Sequence, residues 1–444
     1  MALRPALPVL LAGAALMSAC AGTPVQPVAP AAPVQTEMSA IAESYVRMVL
    51  ALGERDPGYV DAYYGPAEWQ DQAHGRMASL DEIRDTAVEL SDRLQRLPPV
   101  ADPLERQRRR FLGKHLGALA ARAAMIEGHT FRFDAEARAL YDFEPPQHDE
   151  AFYQAILDRL ERLVPPGAGT LTERYERYLQ QFEIPKDRIQ TVVQAAIDEA
   201  RRRTLLHLAL PGGEHFELEL VTGNSWSAYN WYKGKAYSLI QVDTTLPVYL
   251  PSAIRLAAHE GYPGHHVYNA LLEQHLVKER GWIEFTVYPL FSPMSLLAEG
   301  TAEAGVDMVF PDVERLAFER DVLFPLAGLD PAQAEQYFRI REEARELAWA
   351  SIDAARGLLD GQRDAEQTAA WLSRYGLVPL EQAQKSVRFA QTYRSYVINY
   401  AAGRKLVEDW LDRNGGDTPA TRWAAFGKLL SEPLTPTDLI DKEY

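Results

Sequence analysis

The chain is 444 residues long, 47% hydrophobic and 24% charged, with a net charge of −16 and one cysteine. That length suits one large domain or two ordinary ones, and the composition is that of a globular protein. The acidity argues against a nucleic-acid partner, which would need a basic face, and a lone cysteine excludes disulfides within the chain.

The first residues read as an export signal, 1–19. Arg4 supplies the positive charge, and an apolar run from Leu7 to Met17 is too short to span a bilayer. It ends in Met17-Ser18-Ala19-Cys20, small residues before a cysteine, which resembles the lipobox of bacterial lipoproteins and makes Cys20 the expected lipidation site. Ala21 follows in place of the Asp that would retain a lipoprotein in the inner membrane. The resemblance therefore implies a lipid anchor in the bacterial outer membrane, facing the periplasm. Residues 20–38 are Pro-rich and nearly uncharged, expected to be an extended tether.

From 39 to 444 the chain reads as mainly α. Ser79 and Glu82 are spaced as a capping pair at the start of a helix that Pro98-Pro99 stops. Pro103–Gly128 repeats apolar residues at three and four, and helices are expected over 149–163, 171–183, 186–208, 331–359, 364–374 and 381–413. One stretch alternates instead. Phe216–Leu220 and Ala236–Asp243 read as strands, with Trp226, Tyr229, Trp231 and Tyr232 between them. The result is a small sheet beside the segment that follows, either a structural hairpin or an edge strand next to a cleft that could pair with an extended peptide.

That segment is His259-Glu260-Gly261-Tyr262-Pro263-Gly264-His265-His266. In His-Glu-x-x-His zinc sites two imidazoles share one helical face and the Glu is general base. Here Pro263 occupies the place of the second His. On an ideal helix His265 would lie about 120° off the face of His259, and His266 roughly 10 Å along the axis. Neither position suits zinc bonds of about 2.1 Å without distortion. Pro263 and Gly264 can supply it, and a bulged helix would return His265 to the metal, which favours His265 over His266. Downstream, Glu299 and Glu303 are four apart on a helix that is otherwise apolar or small, hence buried, and buried carboxylates need partners. Glu299 is the expected third ligand, and Glu303 the acceptor for the outer ring N–H of His259. Two imidazoles and one carboxylate leave a zinc position open for water, with Glu260 to take its proton. Tyr393, Tyr396 and Tyr400 lie on the expected helix 381–413 and are candidates for holding the oxyanion.

His-Glu-x-x-Pro-Gly-His-His resembles the signature of a bacterial family built on domain of unknown function 885 (DUF885), grouped with the gluzincin metallopeptidases. Asp56-Pro57-Gly58-Tyr59 to Gly65-Pro66, Glu299-Gly300-Thr301-Ala302 and Tyr400-Ala401-Ala402-Gly403 are similar to three further segments of it. The resemblance spans most of residues 40–410. It implies a large helical metallopeptidase-like fold with a small β-sheet next to the zinc-binding helix. It also implies His259, His265 or His266, and Glu299 as Zn2+ ligands, Glu260 as base and Tyr400 as oxyanion donor, and a reaction class more firmly than a substrate; the leading expectation is a zinc peptidase acting on a peptide substrate. Thr301 stands where the family has an aromatic residue, and Arg394–Asn399 lacks its Pro-Gly-Gln-Ala. The competing expectations are a zinc amidohydrolase acting on a non-peptide or cell-wall amide, and an inactive lipoprotein scaffold that keeps a metal site.

Overall fold

The computed structural model describes residues 33–223 and 228–440. The expected signal segment, Cys20 and Trp226 lie outside them.

The structure is 68% helical, with only a few short strands and no closed barrel among the described residues. The described residues begin with α1 (Pro33–Gly53), so residues 33–38, the end of the expected tether, are helical. Met38, Ile41, Tyr45, Val49 and Leu52, spaced at three and four, are buried along it, and that burial is the reason the segment folds. A short strand β1 (Val60–Tyr63) and α2 (Ala67–Arg76) follow. Helix α3 (Leu80–Arg96) starts where Ser79 accepts a hydrogen bond from the Glu82 amide at 3.2 Å. Helix α4 (Pro103–Ile126) begins with proline at its first position and Asp102 capping the Leu104 amide at 3.0 Å. Then come α5 (Phe133–Tyr141), α6 (Glu150–Leu163), α7 (Leu171–Gln180) and α8 (Ile189–Thr204).

Three strands interrupt the helices: β2 (His215–Val221), β3 (Ala228–Tyr232) and β4 (Tyr237–Asp243), in the order β2-β4-β3. The aromatic run read as a connection is thus itself a strand. β3 and β4 form an antiparallel hairpin around Lys233-Gly234-Lys235, whereas β2 runs parallel to β4 with Phe216 opposite Ser238. The next helix, α9 (Leu250–Arg255), runs without a break into a π turn, Leu256–Gly261, and α10 (His265–Leu272) starts after it. β5 (Val287–Pro289) pairs antiparallel with β1.

Helix α11 (Pro293–Val309) is buried on nearly every side, as its composition requires. Beyond it lie α12 (Asp312–Phe318), α13 (Phe324–Ala327), α14 (Ala334–Arg345), α15 (Ala350–Leu359), α16 (Ala365–Tyr375), α17 (Leu380–Tyr393), α18 (Ala401–Asn414), α19 (Pro419–Leu429) and α20 (Pro436–Ile440). The sequence period suggests one helix over 381–413, but a tight 3-10 turn at Arg394–Asn399 divides it. Glu136 of α5, fully buried, pins that break. It accepts from the Ser395 amide at 3.1 Å, the Ser395 hydroxyl at 2.7 Å and Arg394 Nε at 2.7 Å. Among the described residues no helix is long and apolar enough to cross a membrane.

Two glycines set how close the central helices come. A Cβ on Gly300 of α11 would lie 2.6 Å from the carbonyl carbon of Gly403 on α18. Both glycines belong to motifs singled out in the sequence, and their role is this close backbone approach.

Candidate metal centre

The site is assembled where the π turn faces α11. The amide of Tyr262 bonds to the Ala257 carbonyl at 2.9 Å, five residues back, and the Gly264 amide to the Ala258 carbonyl at 2.8 Å. This widened turn carries the extra residues between the two histidines. Gly264 is required there, because a Cβ would fall 1.8 Å from the His259 carbonyl oxygen. The Tyr262–Pro263 peptide bond is cis.

His259, His265 and Glu299 come together, each offering a donor atom within 4.8 Å of the others. Glu299 Oε2 is 3.3 Å from His259 Nε2 and 3.7 Å from His265 Nε2. Bonds of about 2.1 Å at tetrahedral angles place donor atoms about 3.4 Å apart, so these spacings suit a zinc-sized ion. The two imidazoles stand perpendicular, with centroids 4.7 Å apart. Glu299 Oε2 is buried without a hydrogen-bond partner, a costly arrangement that a cation would relieve. Its other oxygen accepts from the Tyr396 hydroxyl at 3.0 Å. Burial pushes the Glu299 carboxyl up, but His265 and His259 outweigh it and hold it well below the usual carboxylate range. Burial likewise lowers His265, but Glu299, Glu260 and Asp61 overcome this and raise it to about 9.

His266 is placed elsewhere. It is fully buried, its Nδ1 2.9 Å from the Ser238 hydroxyl and its Nε2 3.1 Å from Glu214. Glu214 also accepts from the Tyr262 hydroxyl at 2.7 Å and Arg201 at 2.6 Å. Both nitrogens of His266 therefore serve to lock α10 onto β4 and the segment ahead of β2. Of the two alternatives open in the sequence, only His265 faces His259 and Glu299.

Glu303 lies one turn beyond Glu299, with Oε1 3.4 Å from His259 Nδ1. Arg255, one turn before His259, donates Nε to the same oxygen at 3.1 Å and fixes that carboxylate. Glu260 is buried, and its charge acts on His265, Asp61 and Arg255. The Asn230 side-chain amide of β3 donates to the Glu260 carbonyl at 2.7 Å, and Phe216 of β2 packs beneath Gly261, so the small sheet braces the ligand turn. Tyr400 stacks edge-on to Tyr396 at 6.0 Å. Burial keeps its phenol well above the ordinary tyrosine value, with Glu299 adding to the effect, so it is a proton donor at neutral pH.

Three contributors were not legible as site residues. Arg255 carries a signal in retrospect, since it precedes His259 by one helical turn. Asn230 carries none. Asp61 sits in a segment already notable for its resemblance, but its place at the site comes from β1. The Tyr229 hydroxyl donates to Asp61, and His265, Glu299 and Glu260 all act on it. Burial raises its carboxyl to about 6 against the lowering influence of Tyr229 and His265.

The fold and site together define a mainly helical protein in which a buried histidine, a half-buried histidine and a buried glutamate converge at one point. No protein-family model matches the chain, and no curated protein does. Among solved structures it is similar to a candidate lipoprotein from Colwellia psychrerythraea, at TM-score 0.47 and 13% identity over 80% of this chain and 67% of that one. It is also similar to a candidate lipoprotein of unknown function from Shewanella oneidensis, at TM-score 0.46 and 13% identity over 91% of this chain and 82% of that one.

Proposed function

We propose that the chain is a zinc-dependent hydrolase, a gluzincin-like peptidase that cleaves peptide bonds with water, anchored through a lipid on Cys20 to the outer membrane and facing the periplasm. The observation that carries the reading is the donor geometry, with spacings of 3.3 and 3.7 Å around a buried carboxylate oxygen that has no hydrogen-bond partner. The lipid anchor rests on Ser18-Ala19-Cys20 and the absence of any other cysteine.

A zinc ion held by His259, His265 and Glu299 would supply Lewis acidity and bring the pKa of a bound water towards ~7. The chain's own residues do the rest. Glu303, fixed by Arg255, lies 3.4 Å from His259 Nδ1, on the side of the ring away from Glu299, and Nε2 faces Glu299. Tyr396 occupies one oxygen of Glu299, so the other is presented to the imidazoles. Glu260 directly follows His259. Its carboxylate takes a proton from water as the water oxygen bonds to the substrate carbonyl carbon. It then passes that proton to the amide nitrogen as the C–N bond breaks. Tyr400 donates its hydroxyl to the oxygen that gains charge.

Glu260→Gln tests the reading, because it keeps shape and removes the base. Zinc content and folding are expected to be unchanged, and hydrolysis of a mixed peptide library to fall by ~10²-fold or more. Equal cleavage by both proteins would remove Glu260 from the mechanism.

A further inference from the structure

Beside the metal centre, one non-glycine residue holds an unusual backbone shape. Where α17 ends, Arg394 has φ 54° and ψ −124°. A Cβ makes this left-handed region unfavourable, and it is ordinarily left to glycine. Such a residue persists only where its surroundings over-determine it. Glu136 of α5 supplies that constraint. It is fully buried and receives three donors from two consecutive residues: Arg394 Nε at 2.7 Å, the Ser395 amide at 3.1 Å and the Ser395 hydroxyl at 2.7 Å. A buried carboxylate stripped of its donors is costly, so Glu136 and the bent backbone hold each other in place.

The bend decides where Tyr396 goes. In an unbroken helix Tyr396, three residues on, would share the face of Tyr393, which is 37% exposed. With the bend Tyr396 turns inward and is 6% exposed. Its hydroxyl donates to Glu299 Oε1 at 3.0 Å. Asn399, at the end of the same turn, donates Nδ2 to the Ser295 hydroxyl at 3.1 Å, one helical turn before Glu299 on α11. Both partners are fully buried. The Tyr396 ring meets Tyr141 and Phe291 edge-on, at 6.4 and 6.3 Å. Tyr141 closes the helix that carries Glu136, so α5 both fixes the turn and flanks the ring. A continuous chain of buried contacts thus runs from Glu136 to the carboxylate of Glu299.

We infer that Glu136 is a positioning residue of the metal centre: by holding Arg394 and Ser395 it turns Tyr396 onto Glu299 and sets that carboxylate for the ion. The inference rests on the reading of His259, His265 and Glu299 as zinc ligands, and it can be measured without turnover.

The experiment is competition for zinc between a chromophoric chelator and the intact chain, at a temperature where circular dichroism shows each variant folded. Glu136→Gln keeps shape and loses the charge that holds Arg394, and Tyr396→Phe removes the bond to Glu299. Each is expected to weaken zinc by ~10–100-fold at unchanged stoichiometry, as loss of support around a ligand does. Because Glu136 acts through Tyr396, adding Glu136→Gln to Tyr396→Phe should change the affinity by no more than about threefold, whereas independent effects would multiply. Position 394 gives a second measurement should Glu136→Gln not fold. Arg394→Ala and Arg394→Gly lose the same bond, but only glycine takes the bent conformation freely. The alanine variant should weaken zinc by ~10-fold and the glycine variant by about threefold or less. Wild-type affinity in folded Glu136→Gln overturns the inference, and so do multiplied losses in the double variant or equal losses in Arg394→Ala and Arg394→Gly. The two readings fail separately. A wild type that binds zinc and hydrolyses no peptide loses the hydrolase and keeps the positioning role, and one that hydrolyses peptide while its zinc affinity ignores Glu136→Gln keeps the hydrolase and loses that role.

Discussion

Gly300 offers the sharpest test of how the central helices hold the site. The Cβ of Gly300→Ala would sit 2.6 Å from the carbonyl carbon and oxygen of Gly403 and 3.0 Å from its Cα. Ordinary carbon contacts begin near 3.5 Å, so α11 and α18 must part locally by about 0.9 Å. Overpacking of this kind costs about 1–3 kcal/mol. Unfolding entropy of about 2.1 cal/mol/K per residue over ~400 residues is about 0.8 kcal/mol/K, so Tm should fall by about 1–4 °C. Glu299 precedes Gly300, and a shift of that size is a quarter of the donor spacing. Zinc affinity should therefore drop by ~10-fold or more, in line with other losses of support around ligands. Circular dichroism melting and competition with a chromophoric chelator read the two effects. Three further glycines calibrate the reasoning. Gly264→Ala, 1.8 Å from a backbone oxygen, should be the most damaging. Gly305→Ala, 3.2 Å from Pro263 Cγ, should be milder than Gly300→Ala. Gly117→Ala, exposed within α4 with nothing nearby, should stabilise by about 0.5–1 kcal/mol. A Gly300→Ala protein with unaltered Tm and zinc affinity would refute the idea that this contact positions Glu299.

His265→Ala should abolish stoichiometric zinc binding. His266→Ala should keep zinc but lose about 1–3 kcal/mol of stability, because Glu214 and Ser238 lose their buried partner; metal analysis beside denaturant melts separates the two, and the reverse pattern would exchange their roles. Arg255→Met frees Glu303 and should weaken zinc ~10–100-fold without changing its stoichiometry, as measured by chelator competition; an unchanged affinity would show that His259 needs no such brace. Cys20→Ser should move the protein from the membrane pellet to the soluble fraction, and a variant that still pellets like wild type would place the anchor elsewhere.

How much could be read from the chain follows from the range of the interactions. Helix starts were legible because caps are local: Ser79 with Glu82, and Asp102 with Pro103, act within one turn. The burial of α11 was legible because the residues flanking Glu299 and Glu303 are apolar or small on nearly every face. The convergence of His259, His265 and Glu299 was anticipated from the bulge that Pro263 and Gly264 allow. The sequence left His265 and His266 as alternatives, since adjacent residues differ only in which wall they face, and Glu214, Ser238 and Glu299 are that wall. The break at Arg394–Asn399 is fixed by Glu136, more than 250 residues away, against the helical period of the segment itself. The parallel pairing of β2 with β4 and the arrival of Asp61 beside Tyr229, 168 residues apart in the chain, are likewise tertiary decisions. Periodicity and capping report what a residue wants from its neighbours in sequence. Which carboxylate meets which imidazole is settled only when distant helices pack, because the free energy of that contact resides in groups the local pattern does not contain.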